Sequence, residues 1–225
     1  MSQQIPSQNP AEKVSDVFDP AQLHKCQARS WALLEELAKK IEPGMTEAVA
    51  TEIYKKMQLE VGAEKYWHPP KIRFGVNTLK SFREPSVEGV VLKPNDIFFL
   101  DVGPIFDGYE GDVGKTFILG TYPEATRVAQ AGREIFELVK KEFLATKKTG
   151  AELYAFAEKL AEERGYSLVG EGANGHRVSD FPHAIHYRGN LRTQQEHPTA
   201  DRWILEIQVR DLKNQIGSFH EDILC

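Results

Sequence analysis

The chain has 225 residues, 41% of them hydrophobic, with 28 Lys and Arg against 33 Asp and Glu for a formal net charge of -5. That is enough apolar material for one substantial core or two fused halves, and the acidic balance excludes a general nucleic-acid or anionic-membrane surface. No apolar run is long enough to span a bilayer, and Cys26 and Cys225 are the only cysteines, which excludes a disulfide framework or a thiolate metal cluster and fits a reducing, cytoplasmic setting.

Residues 1–20 are polar, carry Pro6, Pro10 and Pro20, and contain no apolar stretch of the secretory-signal kind. They read as a flexible arm ahead of one domain over residues 21–225. From Gln22 to Ile41 the residues Leu23, Cys26, Leu34, Leu37 and Ile41 recur at three- to four-residue intervals as one helical stripe, which Pro43-Gly44 ends. Thr46 caps a second helix that runs to about Val61 before Gly62. Residues 66–76 read as extended, because Pro69-Pro70 bars helix and Ile72, Phe74 and Val76 alternate, and 77–89 reads as a loop. Ile97 to Leu100 is an apolar run of buried-strand type closed by Asp101; a Gly/Pro/Asp-rich stretch reads as a turn; Asp112 then opens a second run, Val113 to Leu119. Pro123 begins a helix to about Ala145, and Thr149 caps another that ends at Gly165. Gly62 follows Thr46 by sixteen positions and Gly165 follows Thr149 by sixteen, which suggests two halves of a similar plan, about 21–120 and 121–225, and the helices and strands together read as an α+β chain. Tyr166 to Val169 begins the strands of the second half, 177–202 reads as a polar loop, and Trp203–Val209 and Ile216–Leu224 are the last two strands.

The chemistry sits on these strands. A hairpin would return Asp112 to the side of Asp101. Glu206 interrupts the apolar run Trp203–Val209, with Leu205 and Ile207 on one face and the carboxylate on the other, and Glu221 raises the same question near the end of the last strand. His176 follows Gly175. Buried like charges repel and cost several kcal/mol each to desolvate unless a cation lies between them. Four carboxylates and one imidazole suit a pair of divalent ions of the Mn, Fe, Co or Zn type. Each glutamate taken alone reads as an exposed strand-edge charge; the ordered set does not.

The set Asp101, Asp112, His176, Glu206, Glu221 resembles the ligand signature of the pita-bread metallohydrolases, the family of methionine aminopeptidase, aminopeptidase P, prolidase and creatinase. The eleven-residue step from Asp101 to Asp112, the seven from His176 to His183, Asp101-Val102-Gly103 with Gly108-Tyr109, Glu221-Asp222 and Pro43-Gly44-Met45-Thr46 all resemble family motifs, over about residues 22–225. The resemblance implies a pseudo-twofold duplicated antiparallel sheet flanked by helices. It implies that Asp112 and Glu221 bridge two metals, that Asp101 completes one and that His176 and Glu206 complete the other. It also implies that Glu206 shuttles a proton and that His183 contacts the substrate. It further implies a small peptide or amide as substrate and, since many members pair as dimers, a homodimer.

The chain departs from the family at informative places. Where a second active-site histidine usually precedes the first aspartate, Phe82 or Arg83 stands; His68, in Trp67-His68-Pro69-Pro70, is the candidate to reach in from another direction. Arg177, Ala184 and Ile207 stand where the family has glycine, an acid and proline. Arg83, Arg177, His186 and Arg188 are candidates for holding an acidic or carboxylate-bearing substrate, since arginine forks bind carboxylates well; the plainer reading is a solvated basic loop. Three functions remain open: a dinuclear C–N hydrolase with an atypical pocket, a creatinase-like non-peptidase hydrolase, and a non-catalytic peptide- or protein-binding module. Creatinase-like and non-catalytic members typically lose ligands, and this chain keeps all five.

Overall fold

A computed structural model describes residues 9–225. The first half runs α1 (Pro20–Ala38), α2 (Glu47–Glu60), β1 (Lys65–Tyr66), β2 (Lys71–Phe74), β3 (Asp96–Val102), β4 (Pro104–Phe106), β5 (Tyr109–Glu110) and β6 (Val113–Leu119). The second runs α3 (Pro123–Ala145), α4 (Gly150–Glu163), β7 (Ser167–Leu168), β8 (His176–Arg177), β9 (Trp203–Asp211) and β10 (Ile216–Ile223). Threonine hydroxyls start the second helix of each pair: Thr46 accepts from the Val49 amide, and Thr149 and Glu152 form a reciprocal capping box.

The large sheet is antiparallel, in the order β2-β3-β6-β10-β9-β7, with β8 added beside β9. The last strand of each half, β6 or β10, lies at the centre, so the order reads outward alike from the middle, as a duplicated half-sheet does. β1, β4 and β5 make a small separate sheet. One face of the large sheet carries the helices. Leu205, Ile207 and Val209 of β9 pack with Ile135, Val139 and Ala157 of α3 and α4; Phe98 and Leu100 of β3 pack with Leu34, Leu37 and Tyr54 of α1 and α2. Among the described residues no helix is long and apolar enough to cross a membrane.

One local expectation is corrected. The extended segment ends at Phe74 and does not reach Val76, because Gly75 adopts φ +50° and turns the chain into a short 3-10 helix, Gly75–Leu79. The Thr78 hydroxyl of that turn accepts the Gly217 amide of β10 at 2.7 Å. Residues 9–19 lie against the domain. A 3-10 turn at Pro10–Glu12 presents the Glu12 carboxylate, which accepts the Trp203 indole N–H at 2.7 Å and the Thr199 amide at 2.8 Å. The burial of Trp203 in β9 creates that demand for an acceptor, which a linear sequence does not display. Met1–Gln8 lie outside the described residues.

Glu12→Ala therefore leaves a buried indole donor without its acceptor and is expected to destabilise the protein by about 1–3 kcal/mol, whereas Glu12→Gln, which keeps an oxygen, costs less. Thermal unfolding followed by circular dichroism measures this; an unchanged midpoint for Glu12→Ala would show that the arm contributes nothing.

Candidate metal centre

On the face opposite the helices, the strand register builds the site. Asp101 of β3 pairs with Gly114 of β6, Gly114 with Glu221 of β10, and Glu221 with Glu206 of β9. Directly paired residues share a face. Three carboxylates therefore stand in one row across four strands, with the side-chain-free Gly114 as the gap among them. Asp112, two residues before Gly114, returns to the same face by alternation. His176 of β8 pairs with Ile204, two residues before Glu206, and so joins them as well.

The result is a cavity of about 250 Å³ whose walls include all of these side chains together with His68 and His183. His176 Nε2 lies 3.1 Å from Asp112 Oδ2 and 3.5 Å from Glu221 Oε1. His68 Nε2 lies 3.2 Å from Asp112 Oδ1 and 3.6 Å from Asp101 Oδ1. Ligand atoms fall within 4.8 Å of one another in three overlapping groups: His68, Asp101 and Asp112; Asp112, His176 and His183; His176, Glu206 and Glu221. Gly103 is required beside them, because a Cβ there would stand 2.6 Å from His68 Nε2 and 2.9 Å from Glu110 Oε1.

The close packing of these charges shifts their titration in opposite directions. Burial raises the Asp101 carboxyl to about 7, with His68 lowering it and Asp112 raising it. Burial, then Asp112 and Asp101, lift Glu221 well above the carboxylate range; burial also raises Glu206. Asp112 goes the other way: burial would raise it, but His68 and hydrogen bonds from His176 and His183 hold it well below. Burial alone would depress the imidazoles, yet Asp112 and Asp101 hold His68 up at about 10, and Asp112 and Glu110 hold His183 at about 11. Glu221 is 2% exposed and its Oε2 has no hydrogen-bond partner among the described residues. A buried carboxylate oxygen without a donor, among three more carboxylates and neutral-ligand imidazoles, fits hard-to-borderline divalent ions.

Other residues hold the set in place, and several escaped the linear reading. Glu110, fully buried, accepts both the His183 main-chain N–H at 2.7 Å and its Nδ1 at 2.8 Å. Its signal was its position two residues before Asp112, on a strand too short for a visible period. The amides of Asn174 and Gly175 donate to Glu206 Oε2 at 2.9 and 2.6 Å. Gly175, at φ +66°, tolerates no side chain, since a Cβ would lie 2.6 Å from the Ile204 carbonyl oxygen. The Tyr154 hydroxyl donates to the Glu206 carbonyl at 2.9 Å. Lys71 of β2 pairs with Asp101 and prolongs the carboxylate row with a cation; its Nζ sits 4.3 Å from the centre of the Phe82 ring, which in turn meets His68 edge-on.

Of the four residues expected to recognise substrate, Arg83 and Arg188 line the cavity. Arg177 and His186 do not. Arg177 is the neighbour of His176 on β8 and pairs with Trp203, so alternation sends it to the opposite face. There it is 2% exposed, and its guanidinium donates to the main-chain oxygens of Ala11, Lys13, Val178 and Arg202. His186 is exposed, with its ring edge-on to Phe181.

The sequence profile described as metallopeptidase family M24 matches residues 21–213. A methionine aminopeptidase of Chlamydia pneumoniae is 29% identical over 78% of this chain, and methionine aminopeptidase A of Synechocystis is 30% identical over 68%. The chain spans 62% and 61% of the length of those two relatives. In fold it is similar to methionine aminopeptidase from Thermotoga maritima (TM-score 0.70, 16% identity, 97% of this chain and 94% of that one) and to X-Pro aminopeptidase from the same organism (TM-score 0.72, 17% identity, 89% and 56%).

A pH dependence follows from the charge cluster. Asp101, raised from 3.8 to about 7, contributes stability that is present below its unfolded value and is lost as pH rises through 7; His68, raised from 6.5 to about 10, contributes stability that is lost on the way to 10. Metal-free protein is expected to melt at a lower temperature at pH 8 than at pH 6. Calorimetry of chelator-treated protein at the two values measures the sign, and a higher midpoint at pH 8 would contradict it.

Proposed function

Because the chain belongs to metallopeptidase family M24, we propose that it is a metallopeptidase-type hydrolase of peptide or related C–N bonds, working with two divalent ions of the Mn, Fe, Co or Zn type. The observation that carries this reading is the row of carboxylates on one sheet face, Asp101 and Glu221 buried and Glu206 half-buried, with the Glu221 Oε2 left without a donor among the described residues. Asp112 and Glu221 would be shared between the ions, Asp101 would serve one, and His176 and Glu206 the other. Such ions would lower the pKa of bound water towards about 7 and polarise a carbonyl.

The protein's own groups supply the rest. Glu206 has Oε2 fixed by two amides, so its carboxylate is positioned to carry a proton from the attacking water to the leaving amine. His183, with Nδ1 held by Glu110, presents its other ring nitrogen to the substrate oxygen on which charge develops. His68 supplies a second imidazole beside Asp112, in place of the histidine missing at Phe82-Arg83. Arg83 and Arg188, on the wall of the same cavity, favour a small substrate bearing a carboxylate. A cytoplasmic setting and a homodimer belong to this reading. Retention of all five candidate ligands stands against a purely non-catalytic binding module.

A screen of metal-loaded protein against dipeptides, N-acyl and amidino compounds, with Asp112→Ala as the blank, tests the proposal; turnover by the wild type alone supports it, and absence of turnover with every metal and compound contradicts it. Once a substrate is found, His183→Ala should lower kcat by about 10²–10³-fold with little change in metal content. Arg83→Ala and Arg188→Ala should raise KM for a dipeptide more than for its C-terminal amide. Equal effects on both substrates would remove the carboxylate from the account.

A further inference from the structure

A second group of ligand-type side chains lies outside the catalytic cavity. His24 on α1, Asp201 just before β9 and Cys225 after β10 bring one imidazole nitrogen, one carboxylate oxygen and one thiol sulfur within 4.8 Å of one another. None of the three lines the cavity described above. They come from positions far apart in the chain, and the fold holds each in place. Leu23, the neighbour of His24, is buried in a small apolar cluster with Ile204 and Ile223, against which Cys225 packs. The Asp201 amide donates to the Leu224 carbonyl at 3.1 Å, which sets Asp201 beside Cys225. Asp201 adopts φ +63°, and its Oδ1 lies 2.8 Å from His24 Nε2.

We propose that His24, Asp201 and Cys225 form a second, mononuclear metal site that takes a borderline-soft divalent ion of the zinc type. The ligand chemistry separates it from the catalytic centre. Oxygen and imidazole donors alone serve the cavity, whereas this group adds a sulfur, and thiolate with imidazole selects zinc-like ions over Mg, Ca or Mn. Around a tetrahedral ion, bonds of about 2.0–2.3 Å place such donors roughly 3.3–3.6 Å apart, so the His24–Asp201 contact would open slightly and the thiol would close in. Asp201 and Cys225 are partly covered and His24 is exposed, which leaves a fourth position for water. Binding forms metal–nitrogen, metal–oxygen and metal–sulfur bonds and releases the thiol proton to solvent. The ion would clip α1 to the end of β10. As a bare ion pair, His24–Asp201 is worth little at this exposure.

Cobalt(II) is the probe, because a thiolate ligand gives it an intense near-ultraviolet charge-transfer band that oxygen and nitrogen ligands do not. Titration of the metal-free full chain under reducing conditions should develop this band to one equivalent. Cys225→Ser should abolish it, and His24→Ala should weaken cobalt binding at that band roughly tenfold or more. Zinc should raise the melting temperature further in a protein whose catalytic cavity is already loaded with manganese, and Cys225→Ser should lose that increment while keeping hydrolytic activity. No band, a band that appears only at millimolar cobalt, or a band that survives in Cys225→Ser and so arises at Cys26 would each overturn the assignment.

Discussion

Mutual repulsion among carboxylates within one sheet face is the constraint around which this molecule is arranged. Asp101, Glu206 and Glu221 occupy one cross-strand row, and Asp112, 1% exposed, joins their face two residues before Gly114. Nothing in protein interiors tolerates four such groups without compensation. Part of the compensation is local: His68 and His176 approach Asp112, and two amides approach Glu206. The remainder, visible as the raised Glu221 carboxyl and its unpartnered oxygen, is of the kind that divalent ions supply.

The duplicated plan explains how a chain of this length reaches that arrangement. Each half contributes a helix pair, and the two halves meet along β6 and β10. The helices cover one face with apolar contacts, leaving the other to hold the polar row. Because β6 and β10 are central, Asp112 just before β6 and Glu221 on β10 are shielded from the sheet edges. Side chains from β8 and from the segments around His68 and His183 then close the cavity over them. The same topology leaves the two ends of the domain, α1 and the close of β10, side by side, where His24 and Cys225 meet.

Much of this was legible in the linear sequence. Apolar runs marked β3, β6, β9 and β10, and Glu206 and Glu221 stood out because a carboxylate inside such a run demands a reason. Threonine caps and terminal glycines marked α2 and α4. What was not legible depended on pairing. Arg177 and His176 are adjacent and equally polar, and only the register of β8 on β9 sends one into the cavity and the other to the arm. Glu110 lies on a two-residue strand, where no periodicity can be read. The docking of residues 9–19 rests on hydrogen bonds to partners far along the chain, Ala11 with Arg177 and Glu12 with Trp203 among them.

Anomalous X-ray diffraction from crystals soaked in manganese would test the central claim most directly. Two peaks within the cavity, with Asp112 and Glu221 touching both, are the predicted result. A cavity without anomalous density, in crystals whose Asp101, Asp112, Glu206 and Glu221 side chains turn outward to solvent, would contradict it.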